Sequence, residues 1–92
     1  MDATNRNVAS GDLLMNIRRE MARAERSNSD LAVVLVRLAQ HNKSARRRRR
    51  LTDYASRLVR ASDTICWYDE RHFALLLPDT PEDGAKRVIS RI

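Results

Sequence analysis

The feature that most constrains this chain is a pair of nearly unbroken apolar runs, LAVVLVRL at residues 31–38 and FALLL at residues 73–77, in a polypeptide of only 92 residues. A half-exposed strand alternates apolar and polar side chains, because successive residues point to opposite faces. The first run, nearly continuous in apolar residues, predicts a strand covered on both faces, and the second a short strand. The first run is rich in β-branched residues, which suit extended backbone, and Arg37 breaks it near its end. The longest wholly apolar stretch, residues 31–36, is six residues, far too short to span a bilayer. The length accommodates one small domain, whose core is necessarily modest.

Helical spacing fills the intervals between the apolar runs. Leu13, Leu14, Ile17, Met21 and Ala24 share one face, which predicts a helix over residues 11–27 with Ser10 as its N-cap. Residues 1–10 are polar and read as a flexible N-terminus. Leu51, Tyr54, Ala55, Leu58 and Val59 predict a second amphipathic helix over residues 44–61. Its first half is a run of five cations, which oppose the helix dipole and repel one another, so the run is expected to stay loose until Leu51. TICWY at residues 64–68 is a short strand, and residues 69–72 join it to FALLL as a hairpin. That link has no glycine, which argues against a tight two-residue turn. Thr80 is an expected N-cap for a last helix, with Pro81 at its first position and Glu82 and Asp83 in its first turn. Ala85, Val88, Ile89 and Ile92 form its expected buried face. Residues 11–92 thus make one α+β domain of order α-β-α-β-β-α. A ferredoxin-like sheet has one strand more, so one sheet edge is expected to be unpaired and to recruit a partner, such as a second copy.

Composition removes several function classes. Hydrophobic residues are 42% of the chain, too many for a disordered tail. One cysteine, Cys66, excludes an internal disulfide framework and a cysteine-based zinc site. The two glycines, Gly11 and Gly84, cannot build a phosphate-cradling loop, and there is no Ser-His-Asp order. His41 and His72 are far apart in sequence without a third ligand, and both are expected to face solvent. Trp67 and Tyr68 read as packing residues. No pattern calls for a cofactor. The N-terminus lacks an apolar signal core, which points to the cytoplasm.

The last strand and helix carry a resemblance. FALLLPDT at residues 73–80, the acidic helix start after it, and Ala85, Val88 and Ile89 are similar to the strand and helix that follow the signature of the GGDEF domain of diguanylate cyclases. RASD at residues 60–63, followed by a five-residue strand, matches the spacing before that signature. Leu51, Ala55 and Leu58 fit the family's second helix, and the segments 11–27 and 31–38 fit its opening. The resemblance covers residues 11–92 and the first part of a family domain. It implies a nucleotide-cyclase-like fold truncated before its last strands.

The departures bear directly on activity. The family signature falls on Asp69, Glu70, Arg71, His72 and Phe73, of which the phenylalanine alone is retained. Two glycines that let nucleotide approach the backbone are carboxylates here, and the metal-binding carboxylate corresponds to Arg71. Two positions on the first strand that usually carry aspartate hold Arg37 and Ala39. The segment with the guanine-contacting residues is shortened and filled by arginine. Joining two GTP molecules needs divalent metals to activate a 3′-hydroxyl and neutralise developing charge. Magnesium requires oxygen ligands, and arginine has no lone pair to offer. The resemblance therefore implies a degenerate domain that is not an enzyme, with a regulatory or interaction role in bacterial cyclic di-GMP signalling, working as a homodimer or with another signalling domain. An active cyclase using Asp69 and Glu70 through a shifted hairpin is the remote alternative.

Two features keep two readings each. Arg60 and Asp63 coincide with the family's RxxD motif, where the pair binds cyclic di-GMP. The same pair suits a plain turn in which Asp63 caps and Arg60 is solvated. With 18 Lys and Arg against 12 Asp and Glu the net charge is +6, and five of the cations are the run Arg46, Arg47, Arg48, Arg49 and Arg50. The run is either a solvated helix face or a phosphate-contacting, weakly specific nucleic-acid-binding surface.

Overall fold

A computed structural model describes residues 7–9, 11–39 and 45–92. The elements are α1 (Leu13–Ser27), β1 (Leu31–Arg37), α2 (Ala45–Leu58), β2 (Thr64–Trp67), β3 (His72–Pro78) and α3 (Glu82–Arg91). This is the α-β-α-β-β-α order read from the sequence. The three strands form one antiparallel sheet in the order β1-β3-β2. β3 is central because FALLL is the segment least able to face water. Residues 73–77 are all buried, with Leu75 at 1% exposure and Leu76 and Leu77 at 0%.

The two sheet faces divide by residue parity. Phe73, Leu75 and Leu77 of β3 join Val34, Ile65, Ala55 and Ala85 in the main core, under α2 and α3, with Val59, Val88 and Trp67 packed at its margin. The Trp67 and Phe73 rings lie 4.9 Å apart at a tilt. Cys66, on the opposite face, is fully buried beneath α1, where Asn16 approaches its sulfur at 3.7 Å. Burial raises the Cys66 thiol pKa, more than the Asn16 contact lowers it, which keeps the group an inert core thiol.

β1 departs from expectation. Its even-numbered face is core, but Val33 and Leu35 are 46% and 61% exposed. The reason is position: both lie on the α1 face of the sheet, where an open groove separates the helix from β1. Leu14, Met21, Ile89 and Ile92, expected to be buried, are more than half exposed, as is Tyr68. Tyr54 is half-exposed, and its hydroxyl donates to the Arg91 carbonyl.

The helix ends also differ in detail. Ser10 lies outside the described residues, and Asp12 caps α1 by accepting from the Met15 N–H at 2.7 Å. The helix closes on Asn28 in the left-handed conformation. Thr80 does not cap α3: Pro81 stands at that position, and the Thr80 hydroxyl is engaged elsewhere. Ser44 and His41 lie outside the described residues. From Ala45 the arginine run is helical, against the expectation of a loose segment. Arginine is a good helix former, and helical geometry spreads adjacent side chains about 100° apart around the axis. Burial of Thr52 and Ala55 anchors the rest of α2.

Residues 7–9, read from sequence as part of a flexible N-terminus, pair with the outer edge of β2. Ile65 donates to Asn7 and accepts from Ala9, at 2.6 and 2.9 Å. Among the described residues, β1 is the edge strand with no such pairing on its outer side.

Truncating a central-strand side chain leaves a cavity that the tight sheet cannot close. Leu75→Ala is expected to cost about 2–5 kcal/mol, whereas Leu35→Ala, at an exposed site, should cost less than about 0.5 kcal/mol. Urea denaturation of the two variants compares them directly.

Candidate functional site

α2 ends at Leu58, and the chain turns back toward β2 through residues 59–63. Asp63 makes that turn. Its N–H donates to the Arg60 carbonyl at 3.0 Å, and its carboxylate accepts from the Arg60 backbone N–H at 2.7 Å. The Asn7 side chain clamps the same turn from outside, donating to the carbonyls of Arg60 and Asp63. Asp63 is 4% exposed, so its oxygens serve the turn.

The Arg60 side chain crosses from this turn to the end of β3. Its Nη2 donates to the Pro78 carbonyl at 2.7 Å and to Thr80 Oγ1 at 2.6 Å, and lies 3.4 Å from Asp63 Oδ1. Thr80 in turn donates to the Pro78 carbonyl. One nitrogen of the fork thus fastens the turn before β2 to the turn after β3. The remaining donors on Nε and Nη1 make no hydrogen bond among the described residues, and the side chain is 57% exposed.

These groups wall a concave site of about 360 Å³ that Arg60 and Asp63 share with Thr80, Gly84, Arg87 and Arg91. Arg87 and Arg91 were not singled out from sequence. They stand four residues apart, hence on one helix face, but their distance in sequence from Arg60 hides the shared cavity. Gly84 permits close packing here: a Cβ would meet the Thr80 methyl at 2.9 Å.

The second candidate region is the hairpin between β2 and β3. Asp69 organises it by accepting from the backbone N–H groups of Arg71 and His72, both at 2.7 Å, and from the His72 ring at 2.9 Å. The His72 ring bond first, then the Arg71 N–H, hold the Asp69 carboxyl below the usual aspartate range. Arg71 reaches across to the end of β1, donating to the carbonyls of Leu38 at 2.9 Å and Ala39 at 3.1 Å. Phe73 is buried in the core.

The cyclase resemblance implies a divalent metal at this place. The groups present do not fit one. Arg37, Ala39 and Arg71 offer no oxygen ligand, and the nearby carbonyls of Leu38 and Ala39 already accept from a guanidinium. Among the described residues no group of three His, Cys, Asp or Glu side chains is placed to hold a metal.

Arg46, Arg47, Arg49 and Arg50 are exposed on the first turns of α2, and Arg48 is partly buried. No helix among the described residues is long and apolar enough to cross a membrane.

No family model matches this chain, and no curated protein matches it. Among solved structures it is similar to a DGC protein from Thermotoga maritima, at a TM-score of 0.63 and 19% identity, with 85% of this chain covered. The chain spans 61% of that protein's chain. The likeness is one of fold: the helix order and the antiparallel sheet are those of a DGC-like domain.

Two outcomes follow from this geometry. Asp63→Ala strips the turn of its acceptor and leaves the Arg60 N–H without it, at an expected cost of about 1–3 kcal/mol, read by thermal or urea melting. Asp69 has a lower pKa folded than unfolded, so its contribution is complete above about pH 4 and is lost as pH falls through the folded value. Stability of Asp69→Asn should therefore fall less steeply than that of the parent over the most acidic part of a pH series.

Proposed function

We propose that this chain is a degenerate GGDEF-like domain, without cyclase activity, that acts by regulation or interaction in cyclic di-GMP signalling and holds the dinucleotide at Arg60. The observation that carries the reading is the fork of Arg60, anchored through one nitrogen by Pro78, Thr80 and Asp63 while its other edge keeps its donors. A cyclic dinucleotide presents anionic phosphates and guanine edges with paired acceptors. Both suit a bidentate guanidinium. An arginine already fixed in place loses less rotamer freedom on binding than a mobile one. Arg87 and Arg91 on the same wall add positive charge for the phosphates. Asp63 acts as a positioning residue for Arg60.

The hairpin supports the absence of catalysis. Where the cyclase resemblance calls for a carboxylate and a metal, Arg71 places a permanent cation against the carbonyls at the end of β1. That cation would repel a divalent ion. The DGC-like fold supports the signalling context. The exposed helical run at residues 46–50 favours a second reading, weakly specific binding of nucleic-acid phosphates.

Calorimetry with cyclic di-GMP tests the first reading. Saturable heat is expected, reduced at least about tenfold in affinity by Arg60→Ala or Arg91→Ala, the size of one lost charge-assisted contact. No heat, or heat unchanged by Arg60→Ala, removes it. Incubation with GTP and magnesium or manganese should yield no cyclic dinucleotide, and any product would overturn the proposed inactivity.

A further inference from the structure

Among the described residues, the cavity beside Arg60 is lined by two carboxylates, Asp63 and Asp79. Their states are opposite. Asp63 is 4% exposed. One of its oxygens accepts from the Arg60 N–H at 2.7 Å, and the other lies 3.4 Å from Arg60 Nη2. A ligand reaches that carboxylate only by opening the turn before β2. Asp79 is exposed, and its carboxylate makes no hydrogen bond or ion pair among the described residues.

Chain position ties Asp79 to Arg60. The guanidinium is held by the Pro78 carbonyl and the Thr80 hydroxyl, the residues on either side of Asp79. Asp79 is fixed through its own backbone. Its N–H donates to the Asp30 carbonyl at 2.8 Å, and a φ of 52° puts it in the left-handed region. Side chains other than Asp and Asn tolerate that conformation poorly. A rigid turn thus carries an uncommitted carboxylate beside a guanidinium with uncommitted donors, and the two opposite charges do not close on each other.

Guanine is a base that uses both groups at once. Its O6 and N7 accept, while its N1–H and N2–H₂ donate from the adjoining edge. Adenine carries an amino donor where guanine has O6, and an acceptor at N1. Against a guanidinium and a carboxylate it sets donor to donor and acceptor to acceptor, and a site built this way discriminates by leaving its own polar groups unpaired.

We propose that Asp79 is the specificity-determining carboxylate of the Arg60 cavity, accepting from the guanine N1–H and N2–H₂ while Arg60 donates to O6 and N7. Arg87 and Arg91, on the same wall, meet the phosphates. Asp63, which the family resemblance pairs with Arg60 at the ligand, is left to hold the turn. This inference rests on the reading of the cavity as a cyclic di-GMP site and adds to it the residue that tells guanine from adenine.

The test is calorimetry on the whole 92-residue chain with cyclic di-GMP and with cyclic di-AMP, which shares the phosphates and differs in the bases. The parent should prefer cyclic di-GMP by at least about tenfold, the size of one charge-assisted contact. Asp79→Gly and Asp79→Asn both accept the left-handed backbone, and circular dichroism checks that each is folded. Asp79→Gly should weaken cyclic di-GMP at least about tenfold, and Asp79→Asn, which keeps a neutral acceptor, by less. In both variants the affinity for cyclic di-AMP should hold or rise, because an anion has left a cationic cavity. A carboxylate that merely supports the turn would give equal losses for the two nucleotides, and that result overturns the proposal. So does a parent that binds both nucleotides equally, or cyclic di-GMP binding that needs Arg60 and ignores Asp79→Gly. The nucleotide-binding reading survives all three of these outcomes. A parent that binds neither nucleotide overturns both together.

Discussion

Burial of β3 on both faces is the constraint from which the remaining architecture follows. Residues 73–77 cannot satisfy water on either side, so the strand must sit in the middle of the sheet with helices above and below. Each neighbour then supplies one face to each layer. Ile65 and Val34 meet Phe73, Leu75 and Leu77 under α2 and α3, while Cys66 lies under α1. In a chain this short there is little other apolar surface to bury. The two regions of interest are the two ends of β3, and both take their precision from the rigidity of that strand.

At one end, Arg60 uses a single nitrogen to tie the turn before β2 to the turn after β3. This is an economical use of a fork with several donors: anchoring does not exhaust the group. Thr80 is the pivot, donating to Pro78 and accepting from Arg60, and Gly84 leaves room for its methyl. Asn7 clamps the same turn from the edge of β2. The residues around the cavity thus come from the end of α2, the α2–β2 turn, the turn after β3 and α3.

At the other end, the hairpin is held by its own polar side chains. Asp69 supplies fixed acceptor geometry, gathering two backbone N–H groups and an imidazole. Arg71 finds acceptors in the carbonyls of Leu38 and Ala39. A hairpin that tolerates a close nucleotide phosphate and a metal needs open backbone and negative side chains. This one is a structural staple between β3 and β1.

The order of elements was legible in the chain itself, because apolar runs and helical spacing are local properties. So was the Arg60–Asp63 pair, which lies within four residues. The exposure of Val33 and Leu35 was not, since an unbroken apolar run looks the same in a covered strand and beside an open groove. The helicity of residues 46–50 depended on whether packing at Thr52 and Ala55 outweighs repulsion among cations, and a sequence does not weigh those terms. Thr80 looked like a helix cap until Arg60, twenty residues away, claimed its hydroxyl. The sequence alone determined the order of the elements and which charges stand at the hairpin. The tertiary structure decided that Arg60, Thr80, Arg87 and Arg91 share one cavity and that β3 lies between β1 and β2, because proximity between distant residues is set by sheet order and not by spacing along the chain.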